Sequence, residues 1–358
     1  MPSCGKFTTM KFHIVRLLSI VLAGVITCGA SCKNSVSSND NNPKPISGDI
    51  TVMFYNVENL FDVTDDPNVM DEDFTPEGKL KWTQERYETK LSRLADVIDT
   101  IPGVLPALVG MCEVENKMVL EDLVKEGKLK GAGYNILHKD SPDERGIDVA
   151  LLYNPSMVKI NSYNYISVVL PDPNDSRTRD ILFVDASINK EKFYLFVNHW
   201  PSRSGGQAES EPNRLAVAGV LKEEIKKVEA ADKDAKILIM GDFNDYPDNK
   251  SIAEVIGAGD EKSAYFNFMR DDQVRKEGSY FYKGEWTVLD QFISSKALIN
   301  SPKGLSVQYD SAVIYKSEMI CFKDKEGNLR PNRTYVGEDY KAGYSDHLPI
   351  YIKLALKK

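Results

Sequence analysis

The sequence predicts an α/β fold in which two mixed sheets pack face to face, with helices on the outer sides. Two observations carry this. From residue 50 onward, apolar runs of strand length alternate with segments whose apolar residues recur at helical spacing. The strand–helix–strand order met early in the chain returns between residues 180 and 240, so two similar halves each supply one sheet. In order, Ile50–Val57 is a strand, and residues 62–81 are a polar loop rich in Asp, with Pro67, Pro76 and Gly78. Thr83–Thr100 is a helix with Tyr87, Leu91, Leu94, Ala95 and Ile98 on its apolar stripe. Ala107–Cys112 is a short buried strand and Asn116–Lys130 a helix. Strands follow at Asp148–Tyr153, Leu182–Ile188 and Lys192–Asn198. An amphipathic helix covers Arg214–Ala231, and strands cover Lys236–Met240, Val288–Ser294 and Leu348–Leu354. No short repeat or low-complexity stretch interrupts residues 50–358, which read as one domain.

Residues 1–32 read as a targeting segment. Lys11 and Arg16 supply a basic start, with Met10 a better initiator than Met1. Leu17–Ile26 is apolar but shorter than the roughly 20 residues that span a bilayer. The run ends in Thr27-Cys28-Gly29-Ala30-Ser31-Cys32, where small residues before a cysteine resemble a bacterial lipobox. Thr27 is bulky for such a cleavage site, so Cys32 is the expected lipidation site rather than Cys28. Residues 33–49, rich in Ser, Asn, Asp and Pro, form a flexible tether. The protein is therefore expected to be exported and lipid-anchored at a bacterial cell envelope, on the outer membrane. The membrane is met only through that anchor, and no obligate protein partner is expected.

Three of the 45 basic residues lie in 1–32, so the remainder sets 42 basic against 53 acidic residues, a net of −11. The basic footprint of a tight duplex binder is missing, although a local basic groove is compatible with this balance. Beyond the targeting segment only Cys112 and Cys321 remain, both in apolar surroundings, and they read as inert buried thiols rather than a disulfide.

The informative feature is a set of polar residues at the ends of apolar strands. Asn56 and Glu58 are two apart and should share one face of an extended segment. Glu113 follows Leu108–Cys112, and Asn198 and His199 follow Phe193–Val197. Asp242 and Asn244 follow Ile237–Gly241, Asp290 lies within Val288–Phe292, and Ser345-Asp346-His347 precedes Leu348. A carboxylate in an apolar run needs a partner or a metal. Each motif alone is also explained by an ordinary turn or cap. Together they converge on one sheet edge, the arrangement of an active site.

These residues also carry a resemblance. Phe54–Phe61, Gly110–Asn116, Val197–Trp200, Gly241-Asp242-Phe243-Asn244, Leu289–Phe292 and Ser345-Asp346-His347 resemble, in order, the motifs of the endonuclease/exonuclease/phosphatase superfamily. The resemblance spans residues 50–356 and implies a four-layer α-β-β-α sandwich of the deoxyribonuclease I type. Residues 140–153 resemble a bacterial subgroup. By the match, Glu113 is the principal Mg²⁺ ligand (Mn²⁺ also fits), with Asn56 beside it, Glu58 a second carboxylate and Asp346 in support. His347 is the general base, oriented by Asp290. Asp242 and Asn244 position water and phosphate. His199 stabilises the phosphoryl oxygens or protonates the leaving group, and Asn198 meets the substrate.

Departures limit the carry-over. Cys112 stands where the family has Gln, and Arg145 where its nucleases have Tyr. Arg145 reads either as a phosphate clamp or as a surface ion pair with Asp143, Glu144 and Asp148. Asp148 could buttress His199, but strand alternation sets it opposite Arg145, so the two roles conflict. Arg203, in the loop after His199, either meets a phosphate or is exposed. His138 reads as a strand-end surface residue. Asp62, Asp65, Asp66, Asp71, Glu72 and Asp73 lack the spacing of a calcium loop and read as solvated. Three functions follow: a Mg²⁺-dependent nuclease or other phosphodiesterase, a phosphatase or phospholipase-type esterase on inositol phosphates or lipid head groups, and a non-enzymatic surface lipoprotein. The last is disfavoured because every expected catalytic position is filled.

Overall fold

The computed structural model describes Met1, the backbone of residues 34–35, and residues 48–100, 105–171 and 177–358. Cys32, the targeting segment after Met1 and nearly all of the tether lie outside these residues. Ile50–Leu60 forms β1, Gln84–Thr100 α1, Leu108–Val114 β2, Lys117–Leu123 α2, Asn135–His138 β3 and Asp148–Tyr153 β4. Val158–Ile166 is β5, Ile181–Ile188 β6, Glu191–His199 β7, Gln207–Ala231 α3 and Ile237–Asp242 β8. Tyr265–Asn267 is β9, Asp290–Ser295 β10, Gly304–Val307 β11 and Ile350–Lys357 β12.

The first sheet runs β11-β12-β1-β2-β4-β3, with Val313–Ile314 also on β12. The second runs β5-β6-β7-β8-β10-β9, with residues 34–35 against β5 and Ala258–Gly259 against β9. Both sheets are mixed. In each, a parallel pair (β1 with β2, β7 with β8) is joined by a long helix. This is the repeated unit that the sequence shows. Ala258–Gly259 also runs parallel to β9 across a short loop.

Strand alternation builds the three cores. Val52, Phe54, Leu108 and Cys112 of the first sheet meet Val184, Leu195, Val197, Leu238 and Met240 of the second. On the outer face of the first sheet, Met53, Tyr55, Val109 and Met111 pack on Tyr87, Leu91, Leu94 and Ile98 of α1. On the outer face of the second, Phe196, Ile237 and Ile239 pack on Val217, Leu221 and Ile225 of α3. At Gly110 the sheets approach closely: a Cβ there would lie 2.3 Å from Cε of Met240, which would have to swing aside. Cys112 and Cys321 are free and buried, the former in the inter-sheet core. Among the described residues no helix is long and apolar enough to cross a membrane.

Several elements differ from expectation. The helix expected over Asn116–Lys130 stops at Leu123 and resumes as a 3₁₀ turn at Gly127–Gly131, because Gly127 takes a positive φ of 45°. Asn116 caps α2, accepting the Val119 N–H at 3.0 Å. The second long helix begins at Gln207 rather than Arg214 and carries Pro212 inside. Its early turns are held by Arg214 itself, which donates to the Gln207 carbonyl at 3.0 Å and the Ser210 hydroxyl at 2.8 Å. Arg214 also pairs with Asp245 at 2.7 Å, with both side chains almost fully buried. Removing one partner of a buried ion pair strands the other charge, so Arg214→Ala is expected to lower unfolding free energy by about 3–5 kcal/mol in urea denaturation. A loss under about 1 kcal/mol would show the pair to be dispensable. In the acidic loop, Asp62 and Asp71 are buried, accepting the N–H groups of Thr64 and Asp66, while Asp65, Asp66, Glu72 and Asp73 are exposed as expected.

Candidate functional site

The register of the second sheet sets up one row of the site. His199 at the end of β7 lies beside Asp242 at the end of β8, and Asp242 lies opposite Asp290 at the start of β10. The first sheet brings Asn56 beside Cys112, with Glu113 next along β2. His347 arrives just ahead of β12, pinned by a β-bridge to Tyr280. The two strand ends meet in a cleft of about 700 Å³ that Glu113, His199, Asp242, Asn244 and His347 line.

Two linked groups stand there. In the first, Asn56 Nδ2 donates to Asp242 Oδ2 at 3.0 Å and to Glu113 Oε1 at 3.3 Å. Glu113 Oε2 accepts the Asn59 N–H at 3.1 Å. His199 Nε2 lies 3.9 Å from both Glu113 Oε1 and Asp242 Oδ2. In the second, His347 Nδ1 lies 2.7 Å from Asp290 Oδ2, and its Nε2 is turned to Asp242 Oδ2 at 3.7 Å. Ser279 donates to the same Asp290 oxygen, and Ser345 Oγ ties the His347 loop to the Asn56 carbonyl at 2.7 Å.

The backbone is strained here. Glu58, Asn59, Glu113 and Asn244 have φ of 50°, 57°, 62° and 49°, a region that costs non-glycine residues energy and collects at functional sites. At Asn244 the cost is eased, since its N–H bonds Asp242 Oδ1 at 2.9 Å and its side chain donates to the Trp200 carbonyl at 3.0 Å. At β1 the consequence is a bulge between Asn56 and Leu60.

Burial sets the electrostatics. Burial, then the Asp290 charge, pushes the Asp242 carboxyl up to about 6 despite the opposing pull of His347. Burial, then the charges of Arg179 and Arg145, holds His199 well below its ordinary value, so it stays neutral. Burial also opposes charge on His347, but Asp290 and Asp242 override it and hold its pKa well above the ordinary value. Asp242 and Asp290 thus flank the one readily charged imidazole, Glu113 stands beside the neutral His199, and one Asp290 oxygen has no partner. A hard cation fits this excess of oxygen and negative charge. Glu113 is the most exposed of the three carboxylates, at 15%.

Several sequence expectations change. The bulge ends the shared face of Asn56 and Glu58. Glu58 turns to Arg333 Nε at 3.1 Å and the Thr334 N–H at 2.7 Å, so the expected second metal carboxylate is already occupied. Asp346 lines the cleft but pairs with the same Arg333 at 3.1 Å, against its expected support of a metal. Asn198, expected to meet substrate, is fully buried, donating to the Met240 carbonyl and accepting from Trp200 Nε1. Alternation along β7 puts it opposite His199. Arg203 lines the cleft but spends its donors on Asn244, Asp245 and Asn249, and its guanidinium stacks 3.7 Å from the Tyr246 ring. It holds the Asn244 loop instead of offering a free phosphate clamp.

Arg145 is half-exposed at the cleft mouth, donating to Asn59 Oδ1 at 2.6 Å and lying 4.0 Å from Glu113. Asp148 pairs with His138 Nε2 at 3.0 Å, not with His199, whose Nδ1 has no partner. The His138 side chain is buried by that pairing, so it is not a surface residue.

Lys90, Arg333, Ser279 and Tyr280 carry weight that sequence reasoning did not assign. Lys90 had a signal: it sits on the apolar stripe of α1 between Tyr87 and Leu94, where a lysine needs a buried partner. Ser279 and Tyr280, whose ring lies 4.7 Å from that of His347, belong to a segment with no recognisable pattern.

A family model described as "Endonuclease/Exonuclease/phosphatase family" matches residues 51–356. No curated protein sequence matches the chain. Among solved structures, D. rerio TDP2 complexed with single strand DNA product is 15% identical, with a TM-score of 0.53 over 86% of this chain and 99% of that one. A Bacteroides thetaiotaomicron mannosyl-6-phosphatase is 14% identical, with a TM-score of 0.52 over 85% and 99%. The human Nocturnin catalytic domain with bound sulfate anion is 16% identical, with a TM-score of 0.52 over 91% and 98%. At these identities the likeness is one of fold, and it is the two-sheet α/β fold described above.

Proposed function

The chain belongs to the endonuclease/exonuclease/phosphatase family, whose members are phosphoester hydrolases, and from that premise we propose that it is a Mg²⁺-dependent phosphodiesterase. The observation that supports this reading best is the pairing of the Asn56–Glu113–Asp242 cluster with the His347–Asp290 dyad across one cleft. The family is typically divalent-metal dependent. Glu113 would hold Mg²⁺ here, its carboxylate oriented by Asn56, which faces it with Nδ2 and gives its own oxygen to the Glu58 N–H, against the expectation of Asn56 as a ligand. Mn²⁺ offers the same hard-oxygen chemistry. Such an ion neutralises phosphate charge and makes phosphorus accessible to attack.

The chain's own residues supply the rest. His347 Nε2, turned into the cleft, takes a proton from the attacking water as the water oxygen bonds phosphorus and the bond to the leaving oxygen breaks. The leaving oxygen takes up a proton from solvent. Asp290 fixes the tautomer by holding Nδ1–H and stabilises the imidazolium that forms. Asp242, between the two imidazoles, orients the water, and Asn244 steadies its carboxylate. Neutral His199 donates Nε2–H to a phosphoryl oxygen. Arg145 offers its guanidinium to the phosphate at the cleft mouth.

A phosphatase or head-group esterase is the second reading. It is favoured by the bounded cleft and by the acidic balance, which suits a small phosphoester better than duplex DNA. A hydrolysis panel with Mg²⁺ separates the two: plasmid DNA, RNA, bis-nitrophenyl phosphate, nitrophenyl phosphate, inositol phosphates and sphingomyelin. Faster turnover of the nitrophenyl diester than the monoester, with cleavage of DNA or RNA, supports the first reading. Monoester or head-group preference replaces it with the second.

We further propose that the chain is an exported lipoprotein anchored through Cys32. Labelled palmitate should enter the full-length protein and be lost in Cys32→Ala. Loss in Cys28→Ala instead would move the cleavage site.

A further inference from the structure

Glu58 and Asp346 are joined by one guanidinium. Arg333 Nε lies 3.1 Å from Glu58 Oε1, and its Nη2 lies 3.1 Å from Asp346 Oδ2. The second oxygen of Glu58 accepts the Thr334 N–H at 2.7 Å. Glu58 is buried and Asp346 is 18% exposed, so water screens their mutual repulsion poorly and a cation between them is favoured. Lys90 reinforces the arrangement from α1. Its buried ammonium donates to Thr334 Oγ1 at 2.6 Å and to the Tyr344 carbonyl at 2.7 Å. Both segments that carry the pair, Arg333-Thr334 and Tyr344–Asp346, are thereby fastened to the helix.

Two carboxylates that share one cation, Glu58 two residues after Asn56 and Asp346 next to His347, offer the oxygen chemistry that could otherwise bridge a divalent ion. We propose that the Arg333 guanidinium takes that place, so the protein holds one divalent ion, at Glu113, and carries a permanent positive charge between Glu58 and Asp346. The inference rests on the reading of Glu113 as the carboxylate of that ion. Three considerations support it. A guanidinium stays charged across the working pH range, and its planar fork suits two carboxylates. A Mg²⁺ ion needs its oxygens at about 2.0–2.1 Å, and at Glu58 Oε1 that would press a dication against the guanidinium. Finally, both Glu58 oxygens are drawn to the Arg333-Thr334 segment, Oε1 by the guanidinium and Oε2 by the Thr334 N–H.

Counting bound Mn²⁺ tests this without reference to turnover. Metal-free full-length protein is titrated with Mn²⁺ alone, and unbound Mn²⁺ is read by electron paramagnetic resonance. One ion per wild-type chain is expected. Glu113→Gln should remove it, while Glu58→Gln should keep both the count and the affinity. Arg333→Met, shown folded by circular dichroism, should take up a second, weaker ion, which the added Glu58→Gln change removes again. Two ions in the wild type, one of them lost in Glu58→Gln, would overturn the proposal. So would a folded Arg333→Met that still binds one. If Arg333→Met does not fold, the wild-type count and Glu58→Gln decide. No ion in the wild type would remove the reading of Glu113 and this inference with it, whereas a count of two removes this inference alone.

Discussion

His347→Ala is expected to lower kcat on a phosphodiester by on the order of 10²-fold or more, the scale of general-base catalysis, with little change in KM. The expectation comes from geometry. His347 Nε2 is turned into the cleft while Nδ1 is held 2.7 Å from Asp290. Asp290→Asn should lose a large part of the same factor, because an amide can hold the ring but cannot balance the imidazolium. The double variant should fall little below His347→Ala, since the two residues act as one unit. The pH profile follows with a definite sign. The base works only when unprotonated, and Asp290 and Asp242 hold its pKa above the ordinary imidazole value. Activity should therefore rise with pH, and Asp290→Asn should move its midpoint downward. A competing assignment makes Asp242 the base, with His347 a phosphate ligand. Asp242 is buried, and its carboxyl is pushed up to about 6. In that case His347→Ala would chiefly raise KM, and Asp290→Asn would do little. Steady-state kinetics of these variants on one diester decide between them.

Chelation should abolish turnover, and Mg²⁺ or Mn²⁺ should restore it. Glu113→Gln should lose most activity at any attainable Mg²⁺ concentration, because a hard dication prefers a carboxylate oxygen. The loss should appear in metal binding as well as in kcat, which separates it from that of His347→Ala. The left-handed backbone at Glu113 bears on this choice of residue. A strained non-glycine conformation is retained where the surrounding structure fixes it, and here the carboxylate is fixed by Asn59 N–H and Asn56 Nδ2. Full activity in excess chelator would refute the metal role.

The strands that carry the site were legible because their apolar runs are long enough to read without context. Asp148–Tyr153 was found at its true limits, and Glu113, His199, Asp242 and Asp290 fall where those runs end or begin. What was not legible depends on backbone departures and on distant partners. Period-two reasoning fails at Glu58 because two successive left-handed residues re-aim the chain. At Asn198 the expected substrate contact fails for a simpler reason: its side chain lies on the buried face of the strand, opposite His199. Arg333 gives no local signal, since its meaning comes from Glu58, 275 residues away. Lys90 and Arg214 were legible in principle. Each is a basic residue on the apolar stripe of a helix, and each is buried against a distant polar partner.

The central claim is that this cleft hydrolyses phosphoesters with a divalent ion and the His347–Asp290 dyad. Its most direct test is Mg²⁺-dependent release of nitrophenol from bis-nitrophenyl phosphate by the wild type and by a Glu113→Gln/His347→Ala variant of equal thermal stability. The wild type is expected to turn over and to stop in chelator, and the variant to show nothing above background. Equal turnover by the two proteins would contradict the claim.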